Sequence, residues 1–368
     1  MITRRQFVLA TATIAGVPSA LQACSSSSGG NAYEETARSI WRHSEGQIDG
    51  KSALMRELVR YATLAPSSHN TQCWKFRIEE NAISILPDLS RRCPVVDPDD
   101  HHLYVTLGCA AENLVQAALA NGWMGDARFD SAGDGLIKIA LDPTKAVTTP
   151  LFEAIPKRRC TRAEYDGTPL QSEELALLEK AGTGNGVRVL LQTEKSAMEK
   201  TLDYIIQGNT TQVNDPAFVK EPKAWIRFSG NEAVSKGDGL FAASSGNPVL
   251  PTWLGSRMFN FVFSAKSEND KCAKQVRSSA GMAIFVSEAD DKSHWVEAGR
   301  CYERFALQAA ALGIRNAFLN QPVEVPNLRP QFASYLNINS GRPDLVVRFG
   351  RGPELPKSLR RPVEAVLA

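Results

Sequence analysis

Ala65-Pro66-Ser67-Ser68-His69-Asn70-Thr71-Gln72-Cys73-Trp74-Lys75-Phe76 is the stretch on which the fold of this chain turns. Before it, Lys51 to Leu64 carries Leu54, Leu58 and Tyr61 at helical spacing, sharing a face with Ala62 or Ala65. Ala65-Pro66-Ser67-Ser68 ends that helix. Trp74 to Ile78 then alternates as a strand, Glu80-Asn81 turns the chain, and Ile83 to Leu86 returns. Between helix and strand lies a polar turn. Its Ser67, Ser68, Asn70 and Gln72 set donors and acceptors in a row beside the apolar Trp74 and Phe76. Such a row can bind the polar edge of a flat heterocycle. A plain structural turn favours the same residue types.

Working outward, a helix is expected from Leu107 to Gly122 and a strand from Leu136 to Leu141. An internal repeat then appears at an offset of 191 residues, which carries Gly108 onto Gly299, Glu112 onto Glu303, Ala118 onto Ala309 and Gly122 onto Gly313. Gln171 to Lys180 resembles the Lys51 helix, Val187 to Leu191 the Trp74 strand, and Leu345 to Phe349 the Leu136 strand. Two fused units are expected, 51–150 and 151–368. The stretch 201–287 has no counterpart in the first unit and reads as a lid-like insertion, rich in Gly, Asn, Ser and Pro.

Two basic clusters stand out. Arg158-Arg159-Cys160-Thr161-Arg162 suits anion capture by guanidinium forks, and Lys357-Ser358-Leu359-Arg360-Arg361-Pro362 lies near the C-terminus. Each on its own also reads as a solvated basic loop or tail. Together with the polar turn they imply a flat polar ring bearing a phosphate. With 42 Lys+Arg against 40 Asp+Glu, the net charge of +2 argues against nucleic-acid binding. The 43% hydrophobic share supports a packed core and excludes wholesale disorder. Seven cysteines show no C-x-x-C pair, and His101-His102 lacks partner ligands at zinc spacing, so no metal site is expected. Gly182-x-Gly184-x-Gly186 precedes a strand instead of following one, so a built-in dinucleotide fold is not expected.

Residues 1–23 read as an export signal. Arg4-Arg5 precede a weakly apolar run, Phe7 to about Leu21, which is short of the ~20 apolar residues that span a bilayer. Thr3 to Leu9 looks like the twin-arginine motif. Leu21-Gln22-Ala23-Cys24 resembles a bacterial lipobox, with Cys24 the lipidated residue, and 24–50 is the tether and N-terminal extension. The expected location is the periplasm or the outer face of a bacterial membrane.

The A-P-S-S-x-N-x-Q-x-W-x-F string resembles the flavin-binding turn of the nitroreductase family, and R-R-x-x-R resembles that family's opening Arg motif. Ser90 to Pro98, Asn320 to Pro326 and Arg361 to Glu364 are similar to its Acg-type branch, with two units fused in one chain. The likeness runs from about Ser52 to Val366. It implies an α+β nitroreductase-like fold, antiparallel sheets flanked by helices, and FMN as cofactor. It places Arg158, Cys160 and Arg162 near the FMN pyrimidine, ribityl and phosphate, and Arg360 and Arg361 at the phosphate. It places Ser67, Ser68 and Asn70 on the isoalloxazine with Gln72 in support, and Asn320 or Gln321 on the N5 side. Cys73 and Cys160 depart from the family's usual Pro and Ser/Thr.

The first unit keeps the polar turn, but Arg38 to Gly46 is a poor Arg motif. The second keeps the Arg motif, but Gly182 to Gly186 lacks Ser and Gln. One complete FMN site per chain, one dead site and a monomer with an internal pseudo-dimer are therefore expected. No side-chain nucleophile is required, and His69 is expected to pack or hydrogen-bond. The activity implied is hydride or electron transfer through flavin N5 to a small flat electron-poor aromatic or quinone, with NAD(P)H or a quinol as donor. The rivals are an FMN-sequestering protein, with Trp225, Trp253 and Phe259 closing over the ring, and a lipid-anchored interaction protein whose flavin site has decayed.

Overall fold

Strand composition sets the two sheets of this chain apart. Trp123–Asp130 and Leu136–Pro143 alternate between buried and exposed positions, as strands with one wet face do. Gly281–Ser287 and Arg342–Gly350 are buried at every position, so both faces of their sheet are covered. The computed structural model describes residues 30–46 and 48–368. The export-type segment, Cys24 and residues 25–29 of the tether lie outside the described residues.

The chain runs α1 (Gly30–Ile40), α2 (Lys51–Thr63), β1 (Trp74–Ile78), β2 (Ala82–Pro87), α3 (His101–Ala120), β3 (Trp123–Asp130), β4 (Leu136–Pro143) and α4 (Pro150–Ala154). It continues through α5 (Ser172–Gly182), β5 (Val187–Gln192), α6 (Lys195–Val213), α7 (Pro216–Trp225), β6 (Ile226–Arg227), α8 (Gly230–Lys236), β7 (Leu240–Phe241), α9 (Thr252–Val262) and α10 (Ala265–Arg277). It closes with β8 (Gly281–Ser287), α11 (Lys292–Ala311), β9 (Arg315–Phe318), α12 (Gln321–Glu324), α13 (Arg329–Tyr335) and β10 (Arg342–Gly350).

Two four-stranded sheets have the orders β1-β2-β4-β3 and β5-β8-β10-β9, and every pairing within them is antiparallel. Chain order and sheet order match strand for strand. Helices α3 and α11 pack against each other between the sheets, and one apolar core runs from Phe76 and Ile83 through Leu107 and Phe305 to Phe285 and Phe349. The crossing is reciprocal. A Cβ on Gly108 would fall 2.0 Å from the Val296 carbonyl oxygen, and one on Gly299 would fall 2.0 Å from the Val105 oxygen. Val105 and Val296 are themselves 191 apart. Side-chain carboxylates start both helices: Asp97 accepts the His102 and Leu103 N–H groups, each at 3.0 Å, and Asp291 accepts that of His294.

The chain's ends tie the halves together. Phe76 of β1 donates its N–H to the Val366 carbonyl, and its own carbonyl accepts from Ala368, so the C-terminus edges the first sheet. Cys160 bridges to Asn316 at the edge of the second.

Three expectations change. Strands β3 and β9, which follow α3 and α11, are additional to those expected. The insertion cannot reach residue 287, because 281–287 is β8, a central strand that holds the place of β2; a short continuous apolar run gives no period to read. The N-terminal extension is not a plain tether, since α1 buries Tyr33 to 2% exposure and Trp41 follows it at 6%. One described helix, α3, is long and apolar enough to cross a membrane, and it lies buried in the core.

Candidate active site

The turn after α2 is held in an unfavourable backbone conformation. His69, Asn70 and Gln72 have φ of 49°, 54° and 56°, in the left-handed region that side chains with a Cβ avoid. Ser67 Oγ accepts the Gln72 N–H at 2.9 Å. Asn70 Nδ2 donates to the Gly239 and Leu359 carbonyls, at 2.9 and 3.1 Å, and its Oδ1 accepts from Arg360 at 2.8 Å. Gln72 Nε2 donates to the Gly237 carbonyl, and its Oε1 accepts the Arg361 N–H, both at 2.8 Å. Asn70 and Gln72 therefore fasten the turn. Pro66, Ser67, Ser68 and His69 are left facing a cavity of about 450 Å³, within the roughly 300–1,000 Å³ of small-molecule sites.

Segments far apart in the chain build this cavity. Helix α3 contributes His102, Val105, Thr106 and Cys109. Arg162 and the segment from Phe318 to Gln321 face the turn, and Phe218, Phe228, Met258, Phe259 and Lys271 close the far side. Arg162 has no carboxylate partner among the described residues; only its carbonyl is engaged, accepting from Gln275 Nε2 at 2.6 Å. Gln321 Oε1 is buried without a partner. Asn320 Oδ1 accepts the Val346 N–H at 2.9 Å, which directs its Nδ2 to His102 Nε2 at 3.0 Å. His102 then carries its proton on Nδ1, 3.4 Å from Asp97. Burial, reinforced by the positive charge of Arg162, pulls His69 down to about 4. It is neutral near pH 7, and its Nδ1 lies 3.7 Å from the Cys93 sulfur.

Five of the eleven residues singled out from sequence line the cavity: Ser67, Ser68, Arg162, Asn320 and Gln321. The other six lie outside its lining. Asn70 and Gln72 hold the turn. Cys160 sits 3.8 Å from the Tyr302 hydroxyl. Arg158 is buried, with its Nε 3.1 Å from Glu303 and Nη2 donating to the Leu64 carbonyl at 2.7 Å. Arg360 donates to the carbonyls of Thr63, Leu64 and Ala65, capping the C-terminal end of α2. Arg361 donates to the Gln72 carbonyl at 2.8 Å. Trp41 lies beneath the Arg158 and Arg360 guanidinium groups. The guanidinium groups of these arginines are directed at the protein's own carbonyls and carboxylates, and the cavity's Lys271 lies 4.0 Å from Glu268, so Arg162 is the cavity-lining Lys or Arg side chain without a carboxylate partner among the described residues. Of the three aromatics expected to close over a ring, Phe259 lines the cavity, whereas Trp225 and Trp253 do not.

Sequence reasoning passed over His102, Val105, Thr106 and Cys109. They recur at i, i+3, i+4 and i+7 on one helical face, and the polar members of that stripe were the available signal. The 191-residue offset carries them onto Ser293, Val296, Glu297 and Arg300, which line a second cavity of about 400 Å³ beside Asn185 and Gly186. Glu297 there pairs with Arg300 and Arg304, so its charges are already matched. His101, His102 and Asp97 come together at the start of α3, where His101 Nε2 meets Asp344 at 2.8 Å, Asp97 caps the helix, and His101 Nδ1 is buried without a partner.

The chain is 26% identical over 326 residues to "Putative NAD(P)H nitroreductase Rv3131" of Mycobacterium tuberculosis, covering 85% of this chain and 90% of that one. To "Putative NAD(P)H nitroreductase acg" of the same organism it is 21% identical over 329 residues, covering 85% and 95%. The chain resembles the Acg-type nitroreductases. No family model matches this nitroreductase-like chain. Among solved structures, the FMN-dependent nitroreductase NfnB of Mycobacterium smegmatis in complex with NADPH aligns with a TM-score of 0.36 at 13% identity, over 55% of this chain and 87% of that one.

Proposed function

We propose that this chain is an FMN-dependent oxidoreductase of nitroreductase type. Bound FMN would supply two-electron chemistry at N5, accepting a hydride from a donor and passing it to a small electron-poor aromatic or quinone. The observation that carries this reading is the cavity wall: a fixed polar turn faces Arg162, a cation with no carboxylate partner among the described residues, and Gln321, whose buried oxygen lacks a donor. Those groups suit a flat ring with N–H donors, carbonyl acceptors and a phosphate. Ser67 and Ser68 offer hydroxyls to the ring edge. Of the four arginines expected near the phosphate, Arg162 is the one that lines the cavity, and it keeps that role. Phe228, Met258 and Phe259 exclude water from the far face.

The relatives' names point to a nicotinamide donor. Twin-arginine export, which remains part of this proposal, would instead favour a quinol, because NAD(P)H is not expected outside the cytoplasmic membrane. Flavin sequestration is the second reading, favoured by the share of the cavity wall that the insertion supplies.

Arg162→Ala is expected to lower flavin content of the purified protein at least tenfold, read by visible absorbance. Arg361→Ala should retain it. Equal flavin in both variants, or colourless wild-type protein that refuses added FMN, overturns the assignment. Anaerobic mixing with NADH, NADPH or a quinol separates the two readings. Bleaching by any of them supports an enzyme, and bleaching by dithionite alone supports storage.

A further inference from the structure

Helix α9 has two apolar faces. Gly255, Met258, Phe259 and Val262, at i, i+3, i+4 and i+7, line the cavity. Trp253, Arg257 and Phe261, at i, i+4 and i+8, form an outward stripe, with Trp253 65% and Phe261 87% exposed. Met258 and Val262 both line the cavity and are exposed, so its lip is apolar. Four of the nine large hydrophobic side chains left exposed among the described residues sit on this one helix, which makes it a patch and not scatter.

Charge identifies what covers the patch. The helix carries no acidic residue, and Arg257 has no ion-pair partner among the described residues. Residues 216–277 hold nine Lys/Arg against five Asp/Glu, a net +4 in a chain of net +2. Self-association about a twofold axis would oppose two Arg257 side chains with no carboxylate on the helix to meet them. An aromatic–basic–aromatic stripe on a short helix, set in a basic region, fits the headgroup layer of an anionic bilayer.

We propose that α9 is a lipid-docking helix, seating Trp253, Arg257 and Phe261 in an anionic membrane surface and turning the Met258–Val262 lip toward the lipid. The docking surface stands on the helix itself. The corollary rests on the function proposed above: the site takes a lipid-soluble flat substrate, such as a quinone, from the membrane.

The test uses the full chain with Cys24→Ser, so that no lipid anchor forms, and vesicles of phosphatidylethanolamine and phosphatidylglycerol containing brominated acyl chains. Trp253 is the tryptophan placed to be quenched. Quenching on vesicle addition is expected, and Trp253→Phe should abolish it. Phe261→Ser should raise the lipid concentration for half-quenching about tenfold, in line with the burial of one aromatic side chain. Absence of quenching, or quenching that persists in Trp253→Phe, overturns the proposal. So does a lipid-free dimer that Phe261→Ser converts to monomer, because a second copy would then cover the face. The flavin spectrum of the same samples reports separately: colourless protein that still docks removes the function proposed above and leaves the docking surface standing.

Discussion

Arg158 and Glu303 sit in the core with relative exposures of 3% and 0%. Burial pushes the Glu303 carboxyl up to about 7, even with Arg158 opposing it. Arg158→Met would leave that carboxyl without its counter-charge. Breaking a buried pair from one side costs about 3–5 kcal/mol. The loss has a sign in pH. Glu303 ionises near 4.5 in the unfolded chain and higher in the folded one, so folded stability falls as pH rises from about 4.5 through 7. Urea titrations of Arg158→Met are expected to show that steepened decline, and adding Glu303→Gln should flatten it. A variant as stable as wild type at pH 8 would contradict the pairing. At this scale the residue types were legible and their duties were not. Asn70, Gln72, Arg158 and Arg360 all belong to recognisable motifs. Whether a guanidinium meets a ligand or a helix-end carbonyl depends on which backbone lies within 3 Å of it, and sequence does not encode that locally.

Helices α3 and α11 approach so closely because Gly108 and Gly299 leave room for the Val296 and Val105 carbonyls. A methyl group at either glycine would meet backbone, which cannot rotate aside. Gly299→Ala is expected to cost stability near the upper end of about 1–3 kcal/mol, measured as a lowered urea midpoint at unchanged slope. An unchanged midpoint would mean that the helices do not cross there. This element was largely readable, since the offset pairing Gly108 with Gly299 is visible in the primary structure. Strand β8 was not. Gly281-Met282-Ala283-Ile284-Phe285-Val286 is apolar up to Ser287, and its strand identity comes from pairing with β5 on one side and β10 on the other. The α3 stripe that faces the cavity was available but ambiguous, because a buried helix also repeats apolar residues at that spacing.

Over the whole molecule, one apolar core joins both sheets, and the C-terminal residues of the second half edge the first. Heating should therefore unfold the described chain in a single calorimetric transition. FMN at one hundred times its dissociation constant should stabilise the folded form by about 2.7 kcal/mol and raise that one midpoint. Two separable transitions, or no response to FMN, would refute the shared core or the site. The amino-acid sequence by itself determined the polar turn, the glycine pair at the crossing and the family resemblance. Each depends on residue type and spacing along the chain, which fix turn chemistry and periodicity. Only the tertiary structure decided which cation is left for a ligand, that α7 and α9 wall the cavity, and that α9 turns aromatic side chains outward. Those outcomes depend on which distant carbonyls and carboxylates reach each side chain first, and that competition is settled when the halves pack.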